Sequence, residues 1–255
     1  MKSGNDWLTI AAIGLLAMCL VTFDHEGLGH GSACLLLHGH ITLLSSSIFH
    51  CDVRSDWIDP AGPLGNLLMG TLALVVLRFV PARLPELRLF LIAVTALSFF
   101  WEGAYVIYAM YRRNGDLYFF AQFLWGDFVL WQRLVAAACG FVLYVFTVRL
   151  TSRALLGLWP DAAVARRAAQ TVWIGATLGA AIAALAFRGQ GWGDFRDAVL
   201  EIGVASFPLL FIPRRGETVG SHETPVTIAR RYVVVASALV VLAIFAATLG
   251  RGLMS

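Results

Sequence analysis

The sequence predicts an all-α, polytopic membrane protein with six to seven transmembrane helices, and three observations carry that prediction. Of 255 residues, 59% are hydrophobic and only 14% charged, against about 45–50% and about 25% in soluble domains. Long apolar runs recur from residue 7 to residue 249. The charges, net +3, gather in pairs at the ends of those runs, where topology-setting charges belong. So little polar surface cannot coat a water-soluble globule. Helices resolve this in lipid, because each satisfies its own backbone polar groups. The bilayer is thus the first implied partner, and the absence of any basic block argues against nucleic acid.

The elements follow in order. Residues 7–23 are uncharged and lack a small-x-small cleavage site, so they read as a first transmembrane helix rather than a removed signal. That helix continues into Asp24-His25-Glu26-Gly27-Leu28-Gly29-His30. A polar segment, residues 38–59, contains a short β-like stretch. A second span covers residues 60–80, closed by Pro81 and Pro85, and a third covers residues 87–111 with Glu102 inside it. Residues 116–131 are aromatic, interrupted by Gly126-Asp127, and read as interfacial or re-entrant. Further spans are expected at residues 134–148, 171–187 and 232–249. A shorter one, residues 198–212, carries Glu201 and Pro208. No internal repeat divides the chain into two transporter-like halves.

With seven spans, the amino terminus and the loops after spans two, four and six hold Lys2 and eleven arginines, and the opposite side holds seven. This bias favours a cytoplasmic amino terminus and puts the histidine-rich segment at the outer face. Abundant Ala and Arg with a single Lys suggests a GC-rich bacterial genome, and so a bacterial inner (plasma) membrane. Cys19 and Cys139 lie in apolar runs and read as small core residues. Cys34 and Cys51 can pair if their segment faces an oxidising compartment.

The chemistry concentrates near one loop. Five of the six histidines (His25, His30, His38, His40 and His50) fall within 26 residues, which apolar packing does not explain. His25-Glu26 and His30 have the residue types of a zincin helix, in which two imidazoles bind zinc and a glutamate activates water. The spacing differs, being H-E-x-x-x-H rather than H-E-x-x-H. On a regular helix, positions i and i+4 lie about 40° apart and i and i+5 about 140° apart. One π-bulge between the histidines restores a common face, and Gly27 and Gly29 lower its cost. The bland reading is a polar helix end at the interface. The string is also similar to the H-E-x-x-G-H motif of dipeptidyl peptidase III, over these six residues alone.

Two more elements extend the pattern. Ala61-Gly62-Pro63-Leu64-Gly65-Asn66 opens the second span, and Asn114-Gly115-Asp116 follows the third. With the His-Glu-Gly-Leu-Gly-His stretch before them, they resemble, in order, the zinc motif, the G-P-x-x-N element and the L-D-G element of the site-2 protease family of intramembrane zinc metalloproteases. The resemblance covers roughly residues 7–130, and the usual Asn/Pro-rich context of the family's aspartate is missing here.

It implies a three-helix metalloprotease-like catalytic core in residues 1–130, with residues 131–255 adding transmembrane helices to the same domain. It also implies zinc held by His25, His30 and Asp116, with Glu26 as general base, and a membrane protein or peptide as substrate. Asn66, with Gly62 and Pro63, would contact that substrate. Each has a plainer alternative: Gly62-Pro63 as a helix start, Asn66 as a bond to a neighbouring helix, Asp116 as a turn residue after glycine. Glu102 is the rival third ligand, as an acid inside an apolar helix. His50 and Cys51 are further ligand candidates, while His38 and His40 line a wet loop. Two other functions stay open: an inactive relative that binds or regulates, and a metal or small-solute transporter.

Overall fold

The structure, a computed structural model, describes residues 4–189, 192–214, 216–217 and 226–254. Lys2 and Arg215, two of the charges counted above, lie outside these residues. Helix α1 (Trp7–Phe23) starts where the Asp6 carboxylate accepts hydrogen bonds from the Thr9 backbone N–H and hydroxyl, at 3.0 and 2.7 Å. This satisfies one of the donors a helix start leaves free. The chain then runs through a π-helical segment, Asp24–Gly31, into α2 (Ser32–Leu36). Trp7–Leu36 is thereby one continuous helical stretch of 30 residues.

Among the described residues, five stretches are long and apolar enough to cross a membrane: Trp7–Leu36, α4 (Pro85–Arg112), α6 (Leu130–Leu158), α7 (Ala162–Leu185) and Tyr232–Gly250. The last is α9 (Tyr232–Phe245) with a π-turn added. Helix α3 (Ala61–Leu77) has 17 residues and measures about 26 Å at 1.5 Å per residue. Helix α5 (Asp116–Trp125) is short and ends at Gly126, followed by a turn into α6. Helix α6 runs ten residues beyond the expected end at Val148, because Arg149 and Arg153 both point outward and cost the helix little.

The expected span at residues 198–212 is not a regular helix. It divides into α8 (Gly193–Ala198), a π-turn (Val199–Val204) and a 3₁₀ turn (Phe207–Leu210) around Pro208. Proline removes a backbone donor and cannot continue an α-helix from its interior. Side chains of α6 and α7 take up the carbonyls this break frees. Trp173 donates to Gly203 O at 2.8 Å, Tyr144 to Ala205 O at 2.9 Å, Gln170 to Leu210 O at 2.8 Å and Arg166 to Pro213 O at 2.8 Å. Irregular backbone is tolerated between apolar helices only when it is satisfied in this way.

Small residues set the closest packing. A Cβ on Gly14 would run into Val172 O, and one on Gly175 into Ala11 O. Helices α1 and α7 therefore approach backbone to backbone, as small-residue helix pairs do. Helix α4 packs against α1, α3 and α6, and buries Leu97, Phe100 and Trp101 almost completely. The polar segment after α2 forms a hairpin of β1 (Ile41–Leu44) and β2 (Phe49–Cys51), which β3 (Leu253–Met254) joins in the antiparallel order β2-β1-β3. The Cys34–Cys51 disulfide ties the hairpin to α2. At its turn, Ser45 and Ser47 donate to the buried Asp194 carboxylate at 3.1 and 2.6 Å.

Candidate metal centre

His25 and His30 stand on one face because Asp24–Gly31 is π-helical, each turn taking one residue more than an α-helix allows. Their ring centroids are 5.0 Å apart. This is the bulge the five-residue spacing demands. The segment also lies unusually close to the start of α3. A Cβ on Gly29 would meet Ala61 O and Gly62 Cα, each at 2.6 Å. A Cβ on Gly62 would collide with the Nε2 atoms of both His30 and His25. Two glycines thus leave the space that the two imidazole nitrogens face. Pro63, in the first turn of α3, loses no hydrogen bond there.

Each ring is held from behind. His25 Nδ1 lies 3.2 Å from Glu102 Oε1, and its ring stacks on Trp101 with centroids 4.5 Å apart. His30 Nδ1 lies 2.8 Å from Ile58 O, and its ring stacks on Phe49. With a metal bound, hydrogen on Nδ1 of each ring would face these acceptors and leave the Nε2 lone pair toward the shared space. Asn66, completely buried, donates to Glu102 Oε1 at 2.8 Å.

The third group comes from α5. Gly115 has φ of +99°, a conformation glycine reaches without strain, and it turns the chain so that Asp116 begins the helix over the rings. Asp116 Oδ2 lies 3.7 Å from His25 Nε2 and 3.4 Å from His30 Nε2. The Tyr105 hydroxyl donates to Asp116 Oδ2 at 3.1 Å and accepts the Asp116 N–H at 3.0 Å. Burial alone would raise the Asp116 carboxyl, but the two imidazoles hold it well below the usual carboxylate range.

His25, His30 and Asp116 together could hold a metal ion, each offering a ligand atom within 4.8 Å of the others. Ligand atoms around a tetrahedral ion with bonds of about 2.0–2.1 Å stand about 3.3 Å apart. The carboxylate-to-imidazole separations are only slightly wider. Two neutral imidazoles and one carboxylate are an ordinary donor set for a divalent transition metal.

The group opens into a cavity of about 460 Å³, lined also by Glu26, Phe49, His50, Asp59, Tyr105 and Glu201. Glu26 is 4% exposed, and among the described residues no hydrogen-bond donor reaches its carboxyl. Asp59 is pushed up to about 6, by burial first and by the nearby Asp116 charge second.

The other candidates lie elsewhere. Glu102, the rival ligand, stands behind His25 at Nδ1 rather than beside the facing Nε2 atoms. Asn66 lies on that same rear side and outside the cavity lining. Cys51 lines the cavity, but its sulfur is bonded to Cys34 and is no thiolate ligand. His50 is exposed on β2 at the cavity wall.

Sequence reading missed Tyr105, Trp101 and the Ile58 carbonyl. Trp101 and Tyr105 are i and i+4 on α4 with Glu102 between them, so a polar and aromatic face of that helix was the available signal. A backbone carbonyl leaves no signal in sequence. Comparison with protein-family models, curated proteins and solved structures finds no match to this chain.

Proposed function

We propose that this chain is an integral membrane zinc metalloprotease that hydrolyses peptide bonds of membrane-associated proteins. The observation that carries the reading is the convergence of His25, His30 and Asp116 on one point, with Glu26 lining the same cavity. Three protein ligands with room for a fourth is the arrangement of a catalytic zinc rather than a structural one.

Bound zinc would supply a Lewis acid for the scissile carbonyl and lower the pKa of the attacking water. The protein's own part is orientation and proton transfer. With the metal bound, Glu102 and the Ile58 carbonyl would hold the Nδ1 hydrogens and keep both Nε2 lone pairs on the cavity side. Tyr105 steadies the Asp116 carboxylate. Glu26 accepts the proton of the attacking water and returns it to the departing amide nitrogen. An O–H and a C–N bond break as C–O and N–H bonds form. Five helices apolar enough to cross a membrane favour a substrate that is itself in or at the bilayer.

The test is metal content and peptide hydrolysis in purified protein. The wild type should hold about one zinc per chain, as a single three-ligand site requires, and should cleave peptide. His25→Ala, His30→Ala and Asp116→Ala should lose the zinc. Glu26→Gln should keep it and lose hydrolysis. Equal zinc in all five proteins, or activity surviving Glu26→Gln, would overturn the reading.

A further inference from the structure

A second cavity, about 620 Å³ and mostly apolar, lies beside the first between α4, α6 and the broken segment after α8. Trp101, Tyr108, Phe141, Tyr144 and Leu200 furnish much of its wall. The two cavities share Ser47, Tyr105 and Glu201. A polypeptide reaching from the apolar groove to the candidate metal centre therefore passes these three residues. Glu201 is the one acid of the three. Its Oε2 is buried without a partner, and among the described residues none hydrogen-bonds to its carboxyl. Asp197, the other acid of the groove, is already paired with Arg196 at 2.8 Å.

The balance of charge ahead of Glu201 points the same way. The polar cavity is lined by Glu26, Asp56, Asp59, Asp116 and Glu201 against Arg54 alone among lysines and arginines. A bound divalent cation would still leave a formal excess of negative charge. Carboxylates that are desolvated and unpaired gain most from an incoming cation.

We propose that Glu201 is a specificity residue, and that the preferred substrate is an apolar segment followed by a lysine or arginine just before the scissile bond. The apolar part fills the groove along α4 and α6, and the basic side chain pairs with Glu201 at the junction. This rests on the protease reading for the scissile bond, but the recognition step can be measured separately.

The probes are three fluorescein-labelled peptides of Leu, Ala and Phe, ending in a Lys, a norleucine or a Glu before a common polar tail. Binding is measured by anisotropy to the Glu26→Gln protein in nanodiscs, where no cleavage intervenes. The Lys peptide should bind about tenfold more tightly than the norleucine peptide, as one charge-assisted pair provides, and the Glu peptide should bind worst. Adding Glu201→Gln should bring the Lys and norleucine peptides within about twofold of each other.

Equal binding of the two peptides by Glu26→Gln protein overturns the proposal without any Glu201 variant, as does no binding of any peptide. A Lys preference that survives Glu201→Gln overturns the role of that residue. Ranked binding with neither zinc nor cleavage in the wild type would sink the protease reading and leave this one standing. Cleavage without any preference would do the reverse.

Discussion

Glu102 was legible as a functional acid but not as one that acts through His25. Its type and its place inside an apolar helix marked it, whereas its position behind Nδ1 depends on how α4 meets the π-helical segment. That position makes a prediction. A carboxylate that orients a ligating imidazole typically accounts for 10–100-fold in metal affinity, so Glu102→Gln should weaken zinc binding by about that factor, not abolish it. Zinc titration against a chromophoric chelator measures this. Loss as complete as in His25→Ala would make Glu102 a direct ligand. Gly62 offers a sharper test, since a Cβ there would occupy the space of both Nε2 atoms. Gly62→Ala should lose the metal while keeping its helical circular dichroism, because alanine favours a helix interior by about 1 kcal/mol over glycine. Normal zinc content in that variant would mean the rings face elsewhere. His25, Glu26 and His30 could be singled out from sequence because their clustering has no apolar use, and Asp116 by its place after the third span in the resembled motif order. Trp101 and Tyr105 left only the weaker signal of their place at i and i+4 on either side of Glu102.

At the scale of elements, the helices were easiest to read where apolar runs are long and uncharged, as in α1 and α9. The spacing of His25 and His30 also encoded the π-helical segment, since only one extra residue per turn aligns them. Reading failed where tertiary contacts decide. The break at residues 199–210 survives because Trp173, Tyr144, Gln170 and Arg166 satisfy its carbonyls, and those partners lie far away in sequence. The hairpin is a similar case. Its β-like stretch was visible, but its anchors are the Cys34–Cys51 disulfide and Asp194. Asp194 is 3% exposed and accepts from Ser45 and Ser47, so Asp194→Ala leaves buried hydroxyls without an acceptor. The expected cost is about 1–3 kcal/mol, read as a lower Tm in detergent. Phe49, which stacks on His30, sits on this hairpin, so zinc affinity should fall as well. An unchanged Tm would show that the disulfide alone holds the hairpin in place.

For the whole molecule, the two ends of the helical bundle differ in charge and in chemistry. At one end lie the starts of α1, α4, α7 and α9, tied by Arg167 over the Trp7 ring at 4.4 Å, Arg230 to Asp6 at 3.1 Å and Arg231 to Glu86 at 3.0 Å. Arg78, Arg83, Arg149, Arg153 and Arg214 belong to the same end by chain direction, at the close of α3 and α6 and beside the break. The candidate metal centre, the hairpin and the disulfide lie toward the other end, where α1 finishes, α3 begins and α4 finishes. Two independent arguments then orient the bundle. Arginine-rich ends face the cytoplasm, and a disulfide persists in an oxidising compartment. Each predicts an amino terminus inside and a centre toward the outer face. The carboxyl-terminal strand β3 pairs with β1 of the hairpin, so the same orientation predicts it on the outer side. A reporter enzyme that folds only in an oxidising compartment should therefore be active when fused after Met254. The same reporter fused before residue 4 should be inactive. The opposite pattern would invert the bundle and leave the Cys34–Cys51 pair facing a reducing cytoplasm, where it should not form. Activity at neither site or at both would break the link between charge bias, disulfide and β3 pairing on which this orientation rests.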